Sequence, residues 1–140
     1  MSFGIGILKP DCLKRRLETE VYDMIIASGL EIVFKKRTQL SLDKVEKLYE
    51  EWSNEYFYSD LLQYMVSGEV EIFFVEGLDA ISELQSIVGG HDSQLSQELT
   101  IRGKFATSLK ENVIHSTTNQ ETFVRETKLL LDNEANQWIY

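Results

Sequence analysis

The chain has 140 residues, a net charge of −9, 43% apolar residues and 26% charged ones. This length and apolar content suit one domain with its own core, and the charged fraction excludes a disordered profile. The acidic balance argues against binding nucleic acid or an anionic membrane non-specifically, and the single cysteine, Cys12, excludes an internal disulfide and a zinc site built from cysteines.

No run of residues approaches a membrane span, and residues 1–8 are too short for a secretory signal, so a cytoplasmic chain is expected. Residues 3–8 read as a short buried strand that Pro10 ends. Pro10 also holds Lys9 extended, which leaves two readings of Lys9: a point charge for a phosphate, or a strand-end lysine in water. Leu17, Val21, Met24 and Ile25 recur at helical spacing and predict a helix over 12–28, with Gly29 at its C-cap. Leu30, Ile32 and Phe34 alternate as a strand that runs on through the solvated basic stretch Lys35-Lys36-Arg37. Ser41 then caps a helix carrying Leu42, Val45, Leu48, Tyr49 and Trp52.

Tyr49, Trp52, Tyr56, Phe57 and Tyr58 lie close together, either lining a cleft for a planar ligand or packing between helices. Leu61, Leu62, Met65 and Val66 continue a helix that Ser67-Gly68 ends. Residues 70–75 are a strand rich in β-branched and phenylalanine side chains. Ala80, Ile81, Leu84, Ile87 and Val88 form a helix closed by Gly89-Gly90. The stretch 89–112 is polar and aperiodic, and long irregular segments inside a compact domain are usually functional. It carries His91 and Arg102.

A short strand at Val113-Ile114 delivers His115. Thr118 and Glu121 have capping-box spacing, so a helix bearing Phe123, Thr127, Leu130 and Leu131 starts near Asn119. His115 thus precedes a helix N-terminus, where phosphate is favoured. From the residues alone it is either a histidine that packs the turn or a nucleophile for a phosphoryl group. The apolar end Gln137-Trp-Ile-Tyr140 is expected to dock onto a surface, its own or a neighbour's. The order β-α-β-α-α-β-α-loop-β-α predicts an α/β (α+β sandwich) fold in a single domain over 1–140. It suits a ferredoxin-like split β-α-β arrangement, a four-stranded antiparallel sheet covered by helices on one face.

Five separated segments, Ile7-Leu-Lys-Pro-Asp11, Tyr64-Met-Val-Ser-Gly68, Val75-Glu-Gly-Leu78, Thr100-Ile-Arg-Gly103 and Asn112-Val-Ile-His115, together resemble the nucleoside diphosphate kinase family. The resemblance spans residues 3 to about 131. It implies a ping-pong reaction through a phosphohistidine, with Mg2+ accompanying ATP, nucleoside di- and triphosphates as partners, and a hexameric or tetrameric homo-oligomer. It implies His115 as nucleophile, Glu126 as the carboxylate that orients it and Tyr49 beside it. Lys9 and Arg102 are implied to bind phosphate and Asn112 to contact the ribose. Phe57 is implied to stack on the base, with Leu109 on its other side. The chemistry is reasonable, since phosphoryl transfer needs positioning and charge neutralisation above all.

The chain departs from the family at Gln85, where an arginine is usual, at His91, where a threonine is usual, and at Ser116, where a glycine is usual. Residues 92–99 contain no proline. A lost charge-assisted contact costs roughly 1.5–3 kcal/mol, so a slower kinase is expected. A protonated His91 is one way to restore the charge missing at Gln85. The alternatives are a catalytically weak or inactive nucleotide-binding module on the same fold, and an assembly domain that uses the apolar tail.

Overall fold

The computed structural model describes residues 1–90, 98–108 and 110–139. Four strands, β1 (Ser2–Leu8), β2 (Glu31–Thr38), β3 (Val70–Gly77) and β4 (Ile114–Ser116), form one sheet in the order β2-β3-β1-β4. Every neighbouring pair is antiparallel. The helices are α1 (Pro10–Lys14), α2 (Glu18–Ala27), α3 (Leu42–Leu48), α4 (Tyr58–Met65), α5 (Ala80–Val88), α6 (Ile101–Phe105), α7 (Gln120–Leu131) and α8 (Asn136–Ile139). Among the described residues no helix is long and apolar enough to cross a membrane.

Helices cover both faces of the sheet, not one. Ile5, Ile7, Ile72 and Phe74 pack on one side with Val45 and Leu48 of α3, Leu61 and Met65 of α4, and Phe123 and Leu130 of α7. Leu8, Phe73 and Val75 pack on the other with Val21 and Ile25 of α2, Leu84 and Val88 of α5, and Ile101 of α6. This explains why β3 is apolar on successive residues instead of alternating. Gly6 in β1 serves the second face. It pairs with Phe73, whose ring would lie 2.4 Å from any Cβ at this position.

The helix expected over 12–28 is two helices. α1 ends at Lys14 and is closed by Arg16, which adopts φ 56. The Leu17 N–H returns to the Cys12 carbonyl at 2.9 Å and the Arg16 N–H to the Leu13 carbonyl at 3.1 Å. This is a Schellman closure with arginine where glycine is usual, so periodicity did not reveal the break. Gly29 (φ 104) does end α2 as expected.

Ser41 caps α3, its hydroxyl accepting from the Lys44 N–H at 3.2 Å. The helical pattern beyond α3 becomes a short 3-10 turn at Glu50–Trp52. The stretch expected to be irregular contains α6, capped by the Thr100 hydroxyl accepting from the Gly103 N–H at 3.0 Å. The cap of α7 is Asn119, whose side chain accepts from the Thr122 N–H at 2.8 Å, so Thr118 and Glu121 are not its capping pair. Val113 is not in the strand. It occupies a turn at φ 78, and β4 begins at Ile114. Of the apolar end, Trp138 docks on the protein itself, its ring stacked 4.4 Å from Phe74 and edge-on to Phe3 and Phe34, and Tyr140 lies outside the described residues.

Candidate active site

Lys9 ends β1 with ψ 167, the extended conformation that Pro10 imposes. Its ammonium points inward, and Nζ donates to Asn112 Oδ1 at 2.6 Å. Burial, together with the positive charge of Arg102, lowers the Lys9 pKa to about 7. Arg102 lies on α6, buried, with Nη2 donating to the Ile114 carbonyl at 2.6 Å and Nη1 to the Gly89 carbonyl at 3.2 Å. Its own pKa falls to about 10, again chiefly through burial. Two buried cations thus converge on the segment leading to His115.

His115 is on β4, an edge strand, and its Nε2 is 2.8 Å from Glu126 Oε1 of α7. A carboxylate only accepts, so Nε2 carries a hydrogen, and in the neutral imidazole the lone pair is then on Nδ1. Glu126 is 2% exposed, and its other oxygen faces the Arg125 guanidinium at 3.6 Å. Arg125 Nη1 also donates to the Lys47 carbonyl at 3.1 Å, which ties α7 to the end of α3. Tyr49 stands edge-on to His115, with ring centroids 5.5 Å apart. Its hydroxyl is buried with no hydrogen-bond partner among the described residues, and burial raises its pKa.

From Tyr49 the aromatic contacts continue. Tyr49 stacks on Trp52 at 5.6 Å, and Trp52 meets Phe57 edge-on at 5.6 Å. Beyond them opens a cleft of about 370 Å³ with Trp52, Tyr56, Phe57, Leu61 and Lys110 among its walls. The aromatic cluster therefore divides. Tyr49 packs against His115, and Trp52, Tyr56 and Phe57 line the cleft. A pair of buried cations, an imidazole with one nitrogen turned away from Glu126 and an aromatic slot form one continuous arrangement. It has the parts needed to hold a nucleotide and accept its terminal phosphoryl group.

The family model described as nucleoside diphosphate kinase matches residues 4–135. The chain belongs to the nucleoside diphosphate kinase family. It is 36% identical to the nucleoside diphosphate kinase of Helicobacter pylori strain ATCC 700392 / 26695 over 84% of this chain and 85% of that one. It is 37% identical to that of Saccharolobus solfataricus over 90% and 91%. The crystal structure of the Encephalitozoon cuniculi nucleoside diphosphate kinase, in its apo cubic form, superposes with a TM-score of 0.92 at 28% identity, covering 100% of both chains. Membership supports a phosphotransferase and not the non-catalytic module or the assembly domain set beside it.

Of the residues that the resemblance to nucleoside diphosphate kinases singles out, Lys9, Tyr49, Arg102, Asn112, His115 and Glu126 come together, and Phe57 lies in the adjoining cleft. Gln85 is exposed on α5, its carbonyl closing the helix through the Gly89 N–H at 3.1 Å. Among the described contacts its side chain joins none of that group. His91 and Leu109 lie outside the described residues. Leu61, Lys110 and Arg125 were not expected at the site. Leu61 follows Phe57 by one helical turn, a spacing that points to it, whereas nothing local marks Lys110 or Arg125.

Proposed function

We propose that this nucleoside diphosphate kinase moves the γ-phosphate of a nucleoside triphosphate to a nucleoside diphosphate through His115. Nδ1 attacks the γ-phosphorus, the bond to the β–γ bridging oxygen breaks, and the diphosphate leaves with that oxygen. The acceptor diphosphate then attacks the phosphohistidine and Nδ1 recovers its lone pair. Glu126 holds the Nε2 hydrogen throughout and stabilises the charge that the ring gains on phosphorylation. Lys9 and Arg102 neutralise the phosphate oxygens. The Tyr49 hydroxyl is a further donor for them. Asn112 reads the ribose, and Phe57 with Trp52 stacks on the base, a contact indifferent to base identity.

The observation that carries this reading is the 2.8 Å contact between His115 Nε2 and Glu126 Oε1, which leaves a single nucleophilic nitrogen. Among the described residues no group of three or more His, Cys, Asp or Glu side chains could hold a metal ion. We assign Mg2+ as the divalent ion; it would come with the nucleotide, held through the phosphates, and would supply charge neutralisation there. A cytoplasmic setting and a homo-oligomer, tetramer or hexamer, belong to the same reading. Exposed Ile26, Leu42 and Leu78 offer apolar surface for such assembly, and a monomer in sedimentation equilibrium would overturn that part.

The test is phosphoenzyme formation. Protein incubated with γ-labelled ATP and Mg2+ is expected to carry an acid-labile label, to lose it to added GDP, and to carry none as His115→Ala. Persistent label on His115→Ala, or none on the wild type, removes the reading. Label that resists the chase locates the defect in the acceptor half-reaction, with Gln85 and His91 the first positions to restore.

A further inference from the structure

Two of the segments singled out in the sequence, Ile7-Leu-Lys-Pro-Asp11 and Tyr64-Met-Val-Ser-Gly68, each supply a residue that the reaction above does not use. The two meet. Asp11 is buried at the start of α1, and its Oδ1 accepts a short hydrogen bond from the Tyr64 hydroxyl. That hydroxyl in turn accepts from the Asp11 N–H at 2.7 Å. The other carboxylate oxygen, Oδ2, accepts from the Val113 N–H at 3.1 Å.

Val113 is the residue with most to lose. It is β-branched, fully buried and at φ 78, a conformation its side chain disfavours. The Ile114 N–H closes a three-residue turn across it onto the Asn112 carbonyl at 2.9 Å. The Val113 carbonyl accepts from the Lys9 N–H at 2.8 Å. Both backbone polar groups of Val113 are therefore held from the β1–α1 junction, the carbonyl by a backbone amide and the N–H by a carboxylate. The turn lies between Asn112 and His115. A relaxed φ at Val113 redirects both side chains together.

We propose that Asp11, braced by Tyr64, is a positioning residue that holds Val113 in its strained turn and thereby sets His115 and Asn112 in register for phosphoryl transfer. The inference rests on the phosphohistidine reading for its consequence, not for its geometry. A carboxylate suits the task because it faces two donors, the Val113 N–H and the Tyr64 O–H, and only accepts. An asparagine turns an NH2 toward one of them and leaves that donor unpaired.

The experiment uses Asp11→Asn, Tyr64→Phe and Val113→Gly, and the double variant of Asp11→Asn with Val113→Gly. Phosphorylation by ATP is followed in a single turnover, nucleotide binding with a non-hydrolysable analogue, and folding by Tm. Glycine occupies positive φ without the β-branched penalty, so in its presence the clamp loses its purpose. Asp11→Asn is expected to slow phosphorylation by about tenfold to a hundredfold and to change analogue affinity less than about threefold. Tyr64→Phe moves the rate the same way by a smaller factor. On the Val113→Gly background the Asp11→Asn effect shrinks to less than about twofold.

Asp11→Asn is also expected to move the His115 ring nitrogen resonances in the nucleotide-free protein, a readout that requires no chemistry. Unmoved resonances, wild-type rates in both Asp11→Asn and Tyr64→Phe, or an undiminished Asp11→Asn effect beside Val113→Gly would each overturn the proposal. Where Asp11→Asn lowers Tm below the assay temperature, Tyr64→Phe decides alone. A wild type that never forms phosphoenzyme counts against the function instead, and the resonance shift still tests the clamp.

Discussion

Lys9 shows how burial prepares a cation for an anion. Its pKa, lowered to about 7, means that above that pH the free protein holds a neutral amine there. A nucleotide phosphate restores the ammonium, so binding at pH 8 to 9 takes up a proton. Calorimetry in two buffers of different ionisation enthalpy is expected to show an uptake approaching one proton, absent in Lys9→Met. No difference between buffers would mean that Lys9 stays charged or stays neutral throughout. The stability consequence has a definite sign. Between about pH 7 and 10.5 the unfolded chain binds a proton that the folded one does not, so this contribution to stability rises with pH across that window. Below pH 7 both states are charged, and the full cost of burying the ammonium applies. The extended geometry of Lys9 was legible from Pro10. The shift was not, because its causes are burial and Arg102, 93 residues on.

At the scale of elements, the site depends on how segments end. β1 stops two residues before Pro10, α1 stops ahead of Arg16, and Val113 turns the chain into β4. Arg16 is exposed and holds φ 56, a conformation costing a non-glycine residue roughly 1–2 kcal/mol. Glycine avoids that cost but loses about 0.5–1 kcal/mol of chain entropy. Arg16→Gly is therefore expected to stabilise the fold by about 0.5–1 kcal/mol, read as a raised urea midpoint at constant slope. A lowered midpoint would show that the arginine makes contacts worth more than its strain. The helical period of Leu17, Val21, Met24 and Ile25 was legible and locates α2. The break before it was not, because neither arginine carries a turn signal. The same holds for α6, five residues long and too short to show a period.

For the molecule as a whole, the sheet covered on both faces ties the chain end to the site's support. Trp138 caps the edge of the face that also buries Phe74, and Phe74 meets Phe123 of α7, the helix that carries Glu126. Trp138→Ala removes a half-buried aromatic, for which about 2–3 kcal/mol is expected, somewhat under the loss for a fully buried ring. The variant is expected to melt earlier yet to phosphorylate normally well below its Tm, since among the described residues the ring contacts of Trp138 are with Phe3, Phe34 and Phe74 and not with the site residues. A rate loss at low temperature would instead show that the tail reaches His115 through α7.

The sequence by itself determined the periods of the strands and helices, the extended Lys9, the glycine that ends α2 and the motif segments that carry the family resemblance. These are local properties, set by side-chain spacing and by the conformational limits of proline and glycine. The successive apolar residues of β3 already implied cover on both faces, although the expected arrangement assigned helices to one. Only the tertiary structure decided which nitrogen of His115 Glu126 engages, where the aromatic cluster divides between support and cleft, and that Asp11 and Tyr64 hold Val113. Each of these joins residues on different elements, and their distances depend on how two helical layers pack against one sheet. Spacing along the chain does not carry that information.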